Sequence, residues 1–214
     1  MKDILCFGDS NTWGCDPEAL SRDVLRRFDR DTRWPGVLAR ELGPDYHIVE
    51  EGQNGRTTVW EDPVEGHMSG LKYLTPCLES HAPLDWVILM LGTNDLKQRY
   101  AVSPTDIAWS AARLVELIQK SNAGPDQAAP RVLLVAPAPL ATLSGLAGLF
   151  DDGVEKSRHL AELYRKQAEL TGCDFFDAGT VVRTSDLDGV HWEADYHAAF
   201  GKAVAQIIKQ ATRV

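Results

Sequence analysis

The sequence predicts an α/β protein, a three-layer α/β/α sandwich with a parallel sheet at its centre, and three observations carry that reading. Short apolar runs rich in β-branched residues alternate with segments of helical period along the chain. Two of the longer runs, WVILML and VLLVA, are apolar at every position, the pattern of strands covered on both faces. Strand and helix alternate from end to end, which calls for right-handed crossovers that lay helices on both faces of one sheet.

Taken in order, the first strand is expected at residues 4–7 and runs into the loop GDSNTWG. WPGVLAREL reads as a helix that stops at Gly43, a residue suited to a helix end. The second strand is expected at 47–50, and a long connection from Gly52 to about Thr75 leaves it. The third strand is expected at 86–91. SPTDIAWSAARLVELIQK then opens a helix with Ser103 as N-cap, Pro104 behind it and Asp106 in the first turn. A fourth strand at 132–136 is followed by a second long connection, from Pro137 to Gly153. EKSRHLAELYRKQAEL reads as one helix with Leu160, Leu163, Tyr164 and Ala168 on a single stripe, ending before Gly172. The fifth strand is expected at 174–176, and AAFGKAVAQIIKQA closes the chain as a helix. No repeat or linker interrupts the 214 residues, so a single domain over 1–214 is expected.

Composition narrows the function. A formal net charge of −9 argues against a nucleic-acid surface. Arg22, Arg26, Arg27, Arg30 and Arg33 cluster, but Asp23, Asp29 and Asp31 are interleaved with them, so salt bridges inside a solvated loop are expected. No apolar run is long enough to span a membrane. Lys2 and Asp3 lead into the first strand without the apolar segment of a secretory signal, which points to the cytoplasm. Cys6, Cys15, Cys77 and Cys173 are scattered without a CxxC pair and read as free thiols rather than zinc ligands.

Four short sequences fall at strand ends or in the last loop: GDSNTWG, GQNGRTT, GTNDLK and DGVHW. In a parallel sheet they converge on the C-terminal edge, where open α/β folds bind ligands. A serine in the first loop becomes a nucleophile only with a base in reach and a group to orient that base. Asp188 and His191 have the spacing for this, since one turn can fold the carboxylate onto Nδ1 and leave Nε2 to face Ser10. His47, His67, His81 and His159 have no companion carboxylate of obvious role, and the rival base His197 falls inside the last helix. For a developing oxyanion the candidate donors are the Asn94 amide, the N–H of Gly55 and the N–H of Ser10 itself. Trp13 and Cys15 follow the serine and are candidates to line an acyl pocket.

In order and spacing these blocks resemble the SGNH (GDSL-type) hydrolases, and CFGDSNTWG, RTT, MLGTND, FFDAG and DG-x-H resemble the bacterial arylesterase and acyltransferase branch. The resemblance implies a flavodoxin-like sheet of order 2-1-3-4-5, with Ser10 as nucleophile, Gly55 and Asn94 as oxyanion donors, and His191 with Asp188 as base and orienter. Gly52 is the fallback for Gly55, because GQNGRTT holds both. A serine esterase acting on small aryl or alkyl esters through an acyl-enzyme is implied, with acyl transfer to alcohols as an extension. Neither cofactor nor metal is expected, and the partners expected are a small ester and further copies of the chain. The apolar segment PAPLATLSGLAGLF is the reason for expecting a homo-oligomer. Two other readings compete. One is a flavodoxin-like module whose first loop holds the phosphate of FMN. The other is a metal-dependent phosphoesterase using Asp9, Asp95, Asp188 and His191, for which the ligand pattern is poor.

Overall fold

The computed structural model describes residues 1–212. Five strands form one parallel sheet: β1 Lys2–Gly8, β2 Tyr46–Gly52, β3 Trp86–Met90, β4 Arg131–Ala136 and β5 Asp174–Asp177. Their order is β2-β1-β3-β4-β5, the flavodoxin-like arrangement. After β1 come two single turns, α1 Ser10–Trp13 and α2 Pro17–Leu20, and then α3 Trp34–Leu42. Helix α4 Gly70–His81 precedes β3, and α5 Pro104–Gln119 precedes β4. Between β4 and β5 lie α6 Ala147–Phe150, α7 Gly153–Ser157 and α8 Leu160–Thr171, and α9 Ala194–Ala211 follows β5.

Alternation along each strand builds the two apolar layers. Ile4, Cys6, Ile88, Leu133 and Val135 point to one face, against Trp34 and Leu38 of α3 and Phe200 and Val204 of α9. Leu5, Phe7, Val87, Leu89 and Leu134 point to the other, against α4, α5 and α8 through Leu74, Ile107, Leu114 and Leu160. Full burial of one such side chain is worth roughly 1.5–3 kcal/mol, so each strand is held from both sides. That is why β3 is buried at all five positions. Helix α5 has the expected Ser103 N-cap and adds a capping box, in which Ser103 accepts from the Asp106 N–H and Asp106 accepts from the Ser103 N–H. Among the described residues, no helix is long and apolar enough to cross a membrane.

Several expectations need correction. The connection after β2 is shorter than expected because α4 begins at Gly70, although Pro76 lies inside that helix. The helix expected over EKSRHLAELYRKQAEL is two, α7 and α8, broken at Arg158 and His159. Ser157 explains the break: its hydroxyl donates to the Val154 carbonyl at 2.6 Å and accepts the Leu140 N–H at 2.9 Å. The clustered arginines pair with carboxylates outside their own segment. Arg26 bonds Asp16, Arg22 bonds Glu18, and Arg27, Arg30 and Arg33 converge on Glu50 of β2. In the apolar segment after β4, Leu140 and Phe150 are buried, with Leu143, Leu146 and Leu149 packed beside them. Much of the surface that was the reason to expect an oligomer is therefore covered by the chain itself.

Candidate active site

Because β1 lies between β2 and β3, the chain leaves its end to one side and returns on the other, which opens a crevice above the sheet. Ser10 stands at the first position of α1 in that crevice. Asp9 caps the turn by accepting the Asn11 N–H at 3.0 Å. Burial pushes the Asp9 carboxyl up to about 6, against the opposing pull of the Asn11 N–H.

The last loop descends on the serine. His191 Nε2 lies 3.0 Å from Ser10 Oγ, and His191 Nδ1 lies 2.7 Å from Asp188 Oδ2. The other carboxylate oxygen of Asp188 accepts the N–H groups of Val190 at 2.8 Å and His191 at 2.9 Å. The turn needs its glycine: Gly189 has φ +80°, and a Cβ there would lie 2.7 Å from the Thr142 carbonyl oxygen. Burial pulls the imidazole down, but the hydrogen bond to Asp188 and the nearby Cys15 side chain more than offset it, so His191 sits above its ordinary range. Asp188 sits below the usual carboxylate range: burial pushes it up, but the hydrogen bond and charge of His191 outweigh that.

Around the serine the donors converge. Asn94, just past β3, spends one amide hydrogen on the Arg56 carbonyl at 3.1 Å and keeps the other. Gly55 turns at φ +81° and lines the pocket with Ser10, Asn94 and His191. Among the described residues, the N–H groups of Ser10 and Gly55 donate to no backbone carbonyl outside helices and strands. Gly52, the fallback, pairs with Gly8 in the sheet, and a Cβ there would meet the Trp13 nitrogen at 2.2 Å, so it packs against α1 rather than lining this pocket. The pocket holds about 230 Å³, with Leu20, Leu146, Leu149 and Phe150 on its apolar side and Glu65 and Lys97 on its polar side.

Cys15 lines this pocket because its N–H, like that of Gly14, donates to the Ser10 carbonyl and folds the chain back under the serine. Trp13 does not line it. Its ring lies under the Arg27 guanidinium at 5.4 Å and its carbonyl accepts from Arg27 Nε at 2.6 Å. The rival base His197 is buried in aromatic packing with Trp192 and Phe28, and its Nδ1 accepts the Trp34 N–H at 3.3 Å. Burial pulls it down to about 3, so it stays neutral.

Three further residues support the site: Asn11 and Arg56 were not picked out as site residues, and Asp95 was considered only as a metal ligand. Asn11 donates to the Val190 carbonyl at 3.3 Å and accepts the Trp192 N–H at 3.2 Å, which ties the serine turn to the histidine loop. Arg56 reaches the carbonyls of Gly8 and Glu51 at two strand ends. Asp95 accepts the Thr58 N–H at 3.0 Å and its hydroxyl as well, and burial pushes its carboxyl up to about 7. Asn11 and Asp95 stood in quoted motifs and Arg56 in the RTT block, but each has a partner 37 to 181 residues away.

Fold and geometry together define a class: a flavodoxin-like α/β sandwich with a serine, a histidine and an aspartate in one hydrogen-bonded line at the sheet edge. The chain belongs to the GDSL-like lipase/acylhydrolase family, which it matches over residues 6–199. Solved structures agree. The aryl esterase of M. smegmatis superposes with a TM-score of 0.93 at 41% identity, over 98% of this chain and 99% of that one. Est24, a carbohydrate acetylesterase from Sinorhizobium meliloti, superposes with a TM-score of 0.95 at 39% identity, over 99% and 100%. A carbohydrate acetylesterase family member from the same organism gives 0.92 at 37% identity over the full length of both. Comparison with curated protein sequences finds no match. Membership removes the FMN-binding alternative. The phosphoesterase reading fails on geometry, since among the described residues the one His/Cys/Asp/Glu group with metal-ligand spacing is Glu51, Cys77 and His81.

Proposed function

We propose that the protein is a serine carboxylic ester hydrolase working through an acyl-enzyme, with Ser10, His191 and Asp188 as its triad. What carries the reading is the unbroken line of hydrogen bonds from Asp188 through His191 to Ser10, at 2.7 and 3.0 Å, on the wall of a small pocket. Asp188 holds the imidazole with its proton on Nδ1, so the Nε2 lone pair faces the serine. Ser10 Oγ attacks the ester carbonyl carbon as its proton passes to His191 Nε2. The carbonyl oxygen gains the negative charge and takes hydrogen bonds from the N–H groups of Ser10 and Gly55 and the free amide hydrogen of Asn94. Collapse of the tetrahedral adduct breaks the bond to the alcohol, which leaves with the proton from His191. Water then repeats the sequence on the acyl-enzyme and frees the acid.

Pocket size and lining favour small acyl groups with aryl or alkyl alcohols, in keeping with the aryl esterase and acetylesterase relatives. Cys15 contributes to the pocket wall. An alcohol in place of water at the second step would give acyl transfer, which the apolar side of the pocket favours. The same reading treats residues 1–214 as one hydrolase domain, since the site draws on residues from Ser10 to His191. Four cysteines without a disulfide suit a reducing compartment such as the cytoplasm. The exposed side chains of Leu25, in the pocket wall, and of Leu187, in a neighbouring cavity that shares Leu20 and Leu146 with it, support a homo-oligomer, which a monomer mass by light scattering would rule out.

A fluorophosphonate probe tests the nucleophile. It should label the peptide that carries Ser10 and leave Ser10→Ala unlabelled; label on another serine ends this reading.

A further inference from the structure

At the β2 edge of the sheet, beside the proposed triad's crevice, α4 carries Tyr73, Cys77 and His81 at intervals of four residues, and hence on one face. That face meets the side chain of Glu51 near the end of β2. His81 Nε2 lies 2.9 Å from a Glu51 carboxylate oxygen, and the donor atoms of Glu51, Cys77 and His81 all lie within 4.8 Å of one another. Cys77 is completely buried, whereas Glu51 and His81 are partly open to solvent, which leaves an entry path for an ion.

The donor set selects the metal. A thiolate, an imidazole and a carboxylate together suit a borderline ion with tetrahedral preference, and two of them stand four residues apart on a helix, a spacing that suits joint ligation. We propose that Glu51, Cys77 and His81 bind a zinc ion, with water as the fourth ligand.

Charge and geometry both support the site. Zn²⁺ with one thiolate and one carboxylate is neutral overall, so burial leaves no net charge on the cluster and the neighbouring Arg56 is not opposed by a dication. Helix α4 ends at His81, and the partial negative charge of its last carbonyls favours a cation there. Without metal, burial and then Glu51 push the Cys77 thiol up to about 12, so the ion must displace a proton from sulfur to solvent. The Glu51–His81 hydrogen bond opens, the Nε2 proton that it held is lost to solvent or exchanged for one on Nδ1, and Nε2 turns its lone pair to the metal. Bonds of about 2.0–2.3 Å to zinc place tetrahedral ligand atoms about 3.4–3.7 Å apart, so the donors need draw in by only about 1 Å. The effect would be to clip α4 to β2, whose Glu51 carbonyl also holds the guanidinium of Arg56.

Cobalt(II) is the probe, because a cobalt–thiolate bond gives a charge-transfer band that zinc then abolishes. Metal-free protein titrated with cobalt(II) should show this band at one equivalent and should also gain thermal stability with zinc. The band should vanish in Cys77→Ser, survive in Cys15→Ser, and need at least tenfold more cobalt in His81→Ala. His81→Ala alters a partly exposed side chain and guards against a Cys77 variant that fails to fold. No band in the wild type, or a band that survives both Cys77→Ser and His81→Ala, overturns the proposal.

Discussion

Replacing Asp188 with asparagine tests the proposed triad without moving its loop. One carboxylate oxygen accepts two backbone N–H groups, from Val190 and His191, and the other accepts only from His191 Nδ1. An asparagine can keep the two backbone bonds with its carbonyl, but its NH₂ then faces Nδ1 and forces the proton onto Nε2, where it blocks Ser10. Turning the amide to restore the working tautomer strands two buried N–H groups at about 1–3 kcal/mol each, or roughly 2–6 kcal/mol in all. At about 1.4 kcal/mol per decade this lowers kcat by ~30-fold to ~10⁴-fold, with ~10³ as the central expectation. Steady-state kinetics on p-nitrophenyl acetate should show that loss with KM little changed and the circular dichroism of the wild type. The pH profile adds a second reading. His191 accepts a proton only when neutral, so kcat/KM falls as the pH drops through its pKa. Asp188, with the nearby Cys15 side chain, holds that pKa above the ordinary range, and in the variant the carboxylate's share is lost while burial still pulls it down. The acid limb should therefore lie above the ~6.5 of free imidazole in the wild type and move to lower pH in the variant. A variant within tenfold of the wild type, or one with an unmoved acid limb, would refute the reasoning.

Two further substitutions probe the surroundings of the serine. Asn94→Ala should lower kcat by ~10²–10³ with KM nearly unchanged, as loss of one oxyanion donor does elsewhere; a change confined to KM would make Asn94 a ground-state contact. Asn11→Ala removes the partners of the Val190 carbonyl and the Trp192 N–H, both buried, and should cost about 2–4 kcal/mol of stability. For a chain of this length that lowers Tm by about 5–15 °C, and calorimetry showing a fall of under about 2 °C would count against the tie between the two loops.

What the sequence disclosed and what it hid divide along the range of the interactions. WVILM and VLLVA were legible as buried strands because covering both faces leaves no polar position. Helix α4 was hidden because Pro76 reads as a breaker and Ser69 makes no side-chain cap, yet the helix survives on Leu74, Cys77 and Leu78 packed against the sheet. Asp188 and His191 were legible because their contact closes over three residues. The Cys77–His81 pair is as local, but Glu51, its third member, stands 26 residues before the cysteine and reaches it only through the fold. Trp13 was misjudged because proximity in sequence to Ser10 could not show that Arg27 would claim its ring.

The proposed oxyanion donors sit on three separate connections, so their common geometry needs a cause. Asn94 donates to the Arg56 carbonyl, which fixes the end of β3 to the loop carrying Gly55. The guanidinium of that same Arg56 binds the carbonyls of Gly8 and Glu51, fixing the loop to the ends of β1 and β2. It is also packed at 4.4 Å over Phe7 and 5.2 Å over Tyr73, so it cannot swing away without uncovering the core. Asp95 closes the circuit by gripping Thr58 through both its N–H and its hydroxyl. Gly55 and Asn94 are therefore referenced to each other and, through Gly8, to the strand that delivers Ser10. Donors placed before the substrate arrives do not have to reorganise as charge develops, which is the condition under which such groups lower a barrier most.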